Sequence, residues 1–313
     1  MNFVAAFGRK PHSFYGIAAF CRGAAAASAL NFIIHHSCFI IRVVSNFETR
    51  FGGIARLYGK SGLEKLRAAH VCVVGIGGVG TWAAESLARS GIGVLTLVDL
   101  DEICESNINR QLHALNETIG RAKVEVMAER IRAINPDCHV GAEQKFFNAQ
   151  TADELLAPKY DFVLDAIDSV ANKALLLARC RNKNLPAVCC GGAGGRRDGT
   201  QVRVADLAKV THDRLLAEVR KKLRKEFQFS AGGSVMGVDC VFSAEPPVFA
   251  QPDGTVCAQR GGTGILPVSS TGETPAPLRL NCDGGLGSAT FVTGAFGFVA
   301  AGIVVRKIVG RHN

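Results

Sequence analysis

The feature that most constrains this chain is a glycine-rich hexapeptide, Gly75-Ile76-Gly77-Gly78-Val79-Gly80. It directly follows the apolar run Val71-Cys72-Val73-Val74 and precedes the small-residue stretch Thr81–Arg89. A short apolar run ending at glycine reads as a buried strand, and the stretch behind it as a helix. Strand, glycine turn and helix in that order open a nucleotide-binding α/β unit. The glycines let backbone N–H groups approach a phosphate, and the helix N-terminus adds a favourable dipole. A second apolar run, Val94–Val98, closes on Asp99 and puts a carboxylate where it can accept hydrogen bonds from ribose hydroxyls. The loop alone leaves NAD(P), FAD and a ligand-free structural turn all open.

The rest of the chain says how that unit is extended. Apolar residues at 124, 127, 128, 131 and 134 have helical spacing across Arg121–Ile134, and Asn135-Pro136 stops that helix. Phe162–Leu164 and Ala187–Cys190 read as further buried strands with a helix over Asn172–Arg181 between them. Strands alternating with helices predict a Rossmann-like α/β fold, a doubly wound and mainly parallel sheet, over 48–205. Residues 206–313 read as a C-terminal α+β extension of the same fold. Within it, Asp213–Phe227 places Leu216, Val219, Leu223 and Phe227 on one helical face, with a basic outer face. The outer face is either simply solvated or an anion-binding surface. A polar Gly/Pro/Ser/Thr stretch at 261–278 reads as an inserted loop. Phe291–Val305 is apolar over about 15 residues, short of the roughly 20 that a membrane span needs. A buried helix is expected there, with peripheral membrane contact as the alternative.

Residues 1–47 contain neither Asp nor Glu but carry Arg9, Lys10, Arg22 and Arg42. They read as a targeting segment or as an extension from a misassigned start, and are set aside from the fold. Eleven cysteines are scattered with no C-x-x-C pair. The usual zinc and redox spacings are therefore missing, and a reducing, cytoplasmic setting is expected. The net charge of +9 favours an anionic partner: a nucleotide, RNA or a membrane surface.

The residues beyond Asp99 separate the alternatives. The run Asp99-Leu100-Asp101-Glu102-Ile103-Cys104-Glu105-Ser106-Asn107-Ile108-Asn109-Arg110-Gln111, with Lys123 beyond it, brings an arginine and a lysine to the glycine loop. Hydride transfer has no need for two cations on the phosphates. Attack of a carboxylate on the α-phosphate of ATP does, because charge develops on the phosphoryl oxygens and on the departing pyrophosphate.

With Asp165-Ala166-Ile167-Asp168, these motifs resemble the adenylating domain of the ubiquitin-activating-enzyme-like (ThiF-type) superfamily. The resemblance implies ATP with Mg2+. It gives Gly75, Gly77, Gly78 and Gly80 the phosphate-loop role, and Asp99 the ribose with Asp101 beside it. Asn107, Arg110 and Lys123 would take the phosphates, and Asp168 the metal or phosphate region. Arg56, in the segment Arg50–Tyr58, matches an arginine that reaches a partner subunit's ATP site in relatives, which implies a homodimer; Arg50 competes for that role. Without the C-x-x-C pairs of sulfur-carrier activators, and with Arg50–Tyr58, Gly191–Gly195, Gly237–Ser243 and Phe291–Gly294, the chain is similar to one subgroup, the tRNA threonylcarbamoyladenosine dehydratases. That subgroup implies a tRNA substrate rather than DNA, adenylation of the threonyl carboxylate, ring closure with loss of water, and cysteine-desulfurase or sulfur-acceptor helper proteins. Arg196, Arg197, Lys221, Lys222 and Arg224 are the expected tRNA contacts. Cys240 is a candidate nucleophile against the plainer reading of a packed core cysteine. The alternative function is adenylation of the Gly-Gly tail of a ubiquitin-like sulfur carrier.

Overall fold

Strands whose residues are nearly all apolar and contiguous need cover on both faces. The computed structural model supplies it, describing residues 46–230, 234–251, 254–258 and 286–310. Nearly all of the N-terminal 1–47 segment and the whole of the 261–278 insertion lie outside the described residues.

Seven strands form one sheet: β1 (His70–Val74), β2 (Val94–Val98), β3 (His139–Glu143), β4 (Phe162–Asp165), β5 (Ala187–Cys190), β6 (Val202–Asp206) and β7 (Asp239–Ser243). Their order is β3-β2-β1-β4-β5-β7-β6, all parallel except β6, which runs antiparallel to β7. The α/β, mainly parallel Rossmann-like fold is as the alternation of elements predicted. The chain winds outward from β1 through β2 to β3, then returns to start β4 on β1's other side. That reversal opens a crevice at the carboxyl ends of β1 and β4, where ligands bind in sheets of this kind. A two-stranded hairpin, β8 (Phe249–Ala250) with β9 (Val256–Cys257), stands apart from the sheet.

The helices are α1 (Phe47–Ala68), α2 (Gly80–Arg89), α3 (Lys123–Ile134), α4 (Ala152–Leu155), α5 (Val170–Asn182), α6 (Arg214–Phe227) and α7 (Thr290–Val309). Asp213, expected as the first residue of the basic helix, is its N-cap instead, accepting from the Leu216 N–H at 2.9 Å. Leu216, Val219 and Leu223 are buried beneath that helix.

The apolar C-terminal helix belongs to the core. Val292, Phe296, Ala300 and Val304 are fully buried, each valine or phenylalanine stabilising the fold by about 1.5–3 kcal/mol. Its glycines let it lie against α2: a methyl group on Gly297 would sit 2.7 Å from Trp82 Cβ and 2.7 Å from the Val79 carbonyl oxygen. The helix is therefore spent on internal packing, and α7 presses on the turn of α2 that carries the glycine loop.

Candidate active site

The four glycines of the loop have different physical reasons to be glycine. Gly75 has φ +91°, and a Cβ there would meet the Ala166 carbonyl oxygen at 2.8 Å. A Cβ on Gly80 would overlap the Gly75 carbonyl oxygen at 1.8 Å. Those two are required by the fold itself. Gly78 faces only flexible atoms, Thr293 Cγ2 at 3.2 Å and Arg110 Cγ at 3.4 Å, and Gly77 has nothing nearer than Gln111 Nε2 at 3.9 Å. The space over Gly77 is not filled by the protein.

Asp99, at the carboxyl end of β2, is fastened to this loop. Its Oδ2 accepts from the Ile76 N–H at 2.6 Å and its Oδ1 from the Asp101 N–H at 2.9 Å. Burial raises its pKa above the usual carboxylate value, opposed by nearby Lys123 and by these two N–H donors. Lys123 opens α3, with its side chain only 7% exposed and its Nζ 2.7 Å from Asp101 Oδ2. The Lys123 N–H also donates to the Asp101 carbonyl at 3.0 Å, so backbone and side chain together hold the ammonium over the end of β2.

The 106–111 run forms the opposite wall. Asn107 is buried, and its Oδ1 accepts from the Cys104 N–H at 3.1 Å, closing a short turn. The Arg110 stem lies over Gly78, and its Nη1 donates to the Ser106 carbonyl at 2.7 Å and to Asn109 Oδ1 at 2.9 Å. Its own carbonyl accepts from Trp82 Nε1 at 3.1 Å and Thr293 Oγ1 at 3.3 Å. Two more tethers reach the start of α7 and the residues before it: Asn109 Nδ2 to the Ser288 carbonyl at 2.8 Å, and Thr290 Oγ1 to the Asn109 carbonyl at 2.5 Å. Arg110 was expected at the loop from sequence; its dependence on α2 and α7 was not.

Two further buried polar side chains face the loop and were not singled out from the sequence. Gln111 Oε1 is buried without a hydrogen-bond partner. His113 Nε2 is 3.0 Å from the Ile76 carbonyl oxygen. Burial drives the His113 pKa down to about 4, more than the bond to Ile76 raises it. The ring is therefore neutral, with Nε2–H as donor, and it fixes the loop carbonyl. A histidine two residues past Arg110-Gln111 was a usable hint, but its contact with Ile76 is purely tertiary.

Asp168 is exposed in the loop after β4, next to the Ala166–Ile167 backbone that touches Gly75. Asp165 of the same motif plays another part: it is fully buried, with Oδ1 2.9 Å from Lys173 Nζ, itself fully buried. Among the described residues no group of three His, Cys, Asp or Glu side chains is placed to hold a metal ion.

Arg56 is exposed on α1, its guanidinium folded back over Gly52 and Gly53, whereas Arg50 Nη1 donates to the Ile134 carbonyl at 3.1 Å. Lys221 pairs with Glu218 and Lys222 with Glu226, each at 2.7 Å, and Arg224 Nε donates to the Ser230 carbonyl. Arg197 is exposed, with its backbone N–H on Glu245 Oε2 at 2.9 Å. Arg196 corrects the expectation of an RNA-facing residue. It is 4% exposed, its Nη2 donates to the His212 carbonyl at 2.5 Å, and a buried guanidinium cannot meet a backbone phosphate at the surface. Cys240 is fully buried on β7 with its thiol on the Val238 carbonyl, and burial pushes its pKa well above the ordinary thiol value. It is packed core and not a nucleophile.

Comparison with known proteins gives a consistent picture. The ThiF family model matches residues 53–313. A tRNA threonylcarbamoyladenosine dehydratase from Escherichia coli K12 is 49% identical over 266 residues, covering 85% of this chain and 95% of that one. The crystal structure of the E. coli tRNA N6-threonylcarbamoyladenosine dehydratase TcdA in complex with ATP superposes with a TM-score of 0.71 at 44% identity, over 85% of this chain and 96% of that one. The corresponding complex with AMP gives a TM-score of 0.72 at 45% identity, with the same coverages.

Proposed function

The chain belongs to the ThiF family, and on that premise we propose that it is an ATP-dependent tRNA threonylcarbamoyladenosine dehydratase. The observation that carries the reading is the convergence of a buried lysine, Lys123, and the Arg110 stem on a glycine loop whose Gly77 leaves open space. The orphaned Gln111 Oε1 beside that space is a buried polar atom awaiting a partner. Homologues of high identity and near-full coverage carry this name, and TcdA has been solved with both ATP and AMP.

ATP fits the residues present and supplies the adenylyl group that turns a carboxylate oxygen into a good leaving group. Gly77 and Gly78 N–H groups and the start of α2 cradle the phosphates. Asp99 takes the ribose hydroxyls, with Ile76 and Asp101 holding it in place. On nucleotide binding, Lys123 exchanges its exposed partner Asp101 for phosphate oxygens, and Arg110 and Asn107 complete the charge cage. Asp168, exposed and beside the loop, would hold Mg2+ there, and the ion would supply charge neutralisation for the phosphates. A threonyl carboxylate oxygen attacks the α-phosphorus as pyrophosphate leaves; an internal nitrogen or oxygen then attacks the activated carbonyl and AMP leaves, for a net loss of water. Ring closure is intramolecular and needs orientation more than a protein nucleophile, which agrees with a buried, inert Cys240.

The enzyme acts as a homodimer in which Arg56, exposed on α1, reaches the neighbouring ATP site, while Arg50 stays bound to the end of α3. Arg197, Lys221, Lys222 and Arg224 supply salt-dependent affinity for tRNA, and a helper of the cysteine-desulfurase type supports turnover. The cytoplasm suits the free thiols of Cys72, Cys104, Cys138, Cys180, Cys189, Cys190 and Cys240. The test is incubation with ATP, magnesium and tRNA from a strain lacking this gene, followed by nucleoside mass measurement. The threonylcarbamoyl adenosine should lose the mass of one water. Activity on a Gly-Gly-tailed carrier protein with none on tRNA would replace this reading with the sulfur-carrier one.

A further inference from the structure

The peptide joining Ile76 to Gly77 is held at one end only. Its carbonyl oxygen lies 3.0 Å from His113 Nε2, while its N–H, on Gly77, has no acceptor among the described residues. The groups on either side are tied. The Gly75 N–H donates to the Val98 carbonyl at 2.8 Å and the Ile76 N–H to Asp99 Oδ2 at 2.6 Å. The Gly77 carbonyl accepts from the Thr81 N–H at 3.1 Å and from Thr81 Oγ1 at 2.8 Å. The donor left over belongs to a residue that is only partly buried, where a Cβ would meet nothing nearer than Gln111 Nε2 at 3.9 Å.

A peptide group is planar, and in its trans form the C=O and N–H point in opposite directions. This peptide is trans, so whatever grips the Ile76 oxygen also aims the Gly77 hydrogen. His113 grips it from the buried side, being itself 2% exposed. The Gly77 N–H is thereby turned away from the ring. The ring in turn is carried by a fixed turn: the His113 carbonyl accepts from Thr118 Oγ1 at 2.6 Å, and the Ala114 N–H donates to the Gln111 carbonyl at 3.1 Å. Nδ1 is buried without a partner, so the bond to Ile76 is the ring's one hydrogen bond among the described residues. A neutral donor suits this place, because an imidazolium would set a second buried charge near Lys123.

We propose that His113 is a positioning residue that aims the Gly77 N–H at a nucleotide phosphate through the Ile76–Gly77 peptide plane. This rests on the proposed function, which puts phosphates at that N–H, and adds the residue that orients it. His113 touches no substrate. Lys123 and Arg110 attract phosphate as charges over a range of directions, whereas an N–H donor weakens steeply once it is misaligned. His113 therefore contributes to selectivity for phosphorylated over unphosphorylated adenosine.

The experiment compares binding of ATP and of adenosine to the full chain by calorimetry in one buffer. Wild type should prefer ATP. His113→Leu, which keeps bulk and removes the donor, should bind ATP about 10- to 100-fold more weakly, the scale of a hydrogen bond to a charged group, with adenosine affinity at the wild-type level. His113→Gln, whose amide N–H takes the place of Nε2–H, should recover most of the ATP affinity. Should His113→Leu fail to fold, His113→Asn, whose shorter amide stops short of Ile76, carries the same expectation. Wild-type ATP affinity in the variant without the donor overturns the inference. So does an equal loss for ATP and adenosine, the mark of a merely structural role, or a His113→Gln protein as weak as His113→Leu. A wild type with no preference for ATP over adenosine would instead remove the phosphates from Gly77 and bring down the proposed function, a result distinct from a wild type that prefers ATP with an indifferent His113.

Discussion

The two glycines of α7 that face Trp82 give a matched pair for testing whether the C-terminal helix holds the nucleotide loop in place. A methyl group on Gly294 would lie 3.8 Å from the Phe298 and Trp82 rings, ordinary van der Waals distance. One on Gly297 would lie 2.7 Å from Trp82 Cβ, 2.7 Å from the Val79 oxygen and 2.8 Å from the Ala83 nitrogen, two of which are backbone atoms that cannot rotate away. Both changes gain the same helix propensity, up to about 1 kcal/mol, so the difference between Gly294→Ala and Gly297→Ala isolates packing. Overpacking of this kind costs about 1–3 kcal/mol. Gly297→Ala should therefore be less stable than Gly294→Ala by that amount in urea titrations, and should melt ~2–12 °C lower for a protein of this size. Because Val79 and Ala83 border the glycine loop, calorimetric ATP affinity should also fall in Gly297→Ala and stay near wild type in Gly294→Ala. Equal stability of the two variants to within about 0.5 kcal/mol, the usual scatter of independent sites, would refute the claim that α7 sits against α2 at backbone contact.

Three other perturbations address the site more directly, and a fourth the basic helix. Lys123→Ala should lower tRNA-dependent pyrophosphate release about 100- to 1,000-fold, the scale of losing one fixed transition-state charge. Arg56→Ala should also be inactive, and mixing the two variants should restore activity if Arg56 works across the dimer; no recovery on mixing would place it in its own subunit's site. His113 has a folded pKa of about 4, below its unfolded value near 6.5, so the folded state binds fewer protons and loses stability as pH falls from about 6.5 through about 4. The loss is on the order of 3 kcal/mol; His113→Gln, which keeps a donor for the Ile76 carbonyl, should flatten that part of the stability–pH curve. Changing Lys221, Lys222 and Arg224 together to Glu should reduce tRNA affinity and shallow its salt dependence by about two to three counterions; an unchanged slope would remove α6 from the RNA interface.

The parts of the fold legible in the sequence are those where one local pattern decides. β2 and β5 run over the same residues as their apolar runs, and α3 and α6 follow the helical spacing of their buried side chains. β3 was not legible: it is an edge strand, His-Val-Gly-Ala-Glu, mostly exposed and defined by its hydrogen-bonded register with β2. β6 and β7 were not legible as strands for a related reason, since β6 is held by its register with β7 and β7 by its registers with β5 and β6. α1 carries Gly52, Gly53, Gly59 and Gly62, which weaken its helical pattern, and Gly59 breaks the helical backbone at φ 78°. At the site, Asp99, Arg110 and Lys123 could be found because ATP chemistry demands charged groups close to a glycine loop. His113, Gln111, Trp82 and Thr293 could not, because their roles exist only once distant segments meet. Arg196 shows the opposite error: residue type alone argues for the surface, and nothing local in Gly-Gly-Arg-Arg reveals which arginine turns inward.

The tethers from Ser288, Thr290 and Thr293 to Asn109 and Arg110 span 179 to 183 residues of chain. The strand, glycine loop and Asp99 all precede residue 100, but the wall that carries Arg110 is secured by a segment synthesised 179 to 183 residues later. During translation the nucleotide-binding half would emerge with that wall untethered, and competence to hold ATP would arrive late and abruptly. Loop closure over such a separation makes this contact a slow, high-contact-order step. Any premature truncation before α7 then leaves a chain that has every nucleotide-binding motif and no finished site.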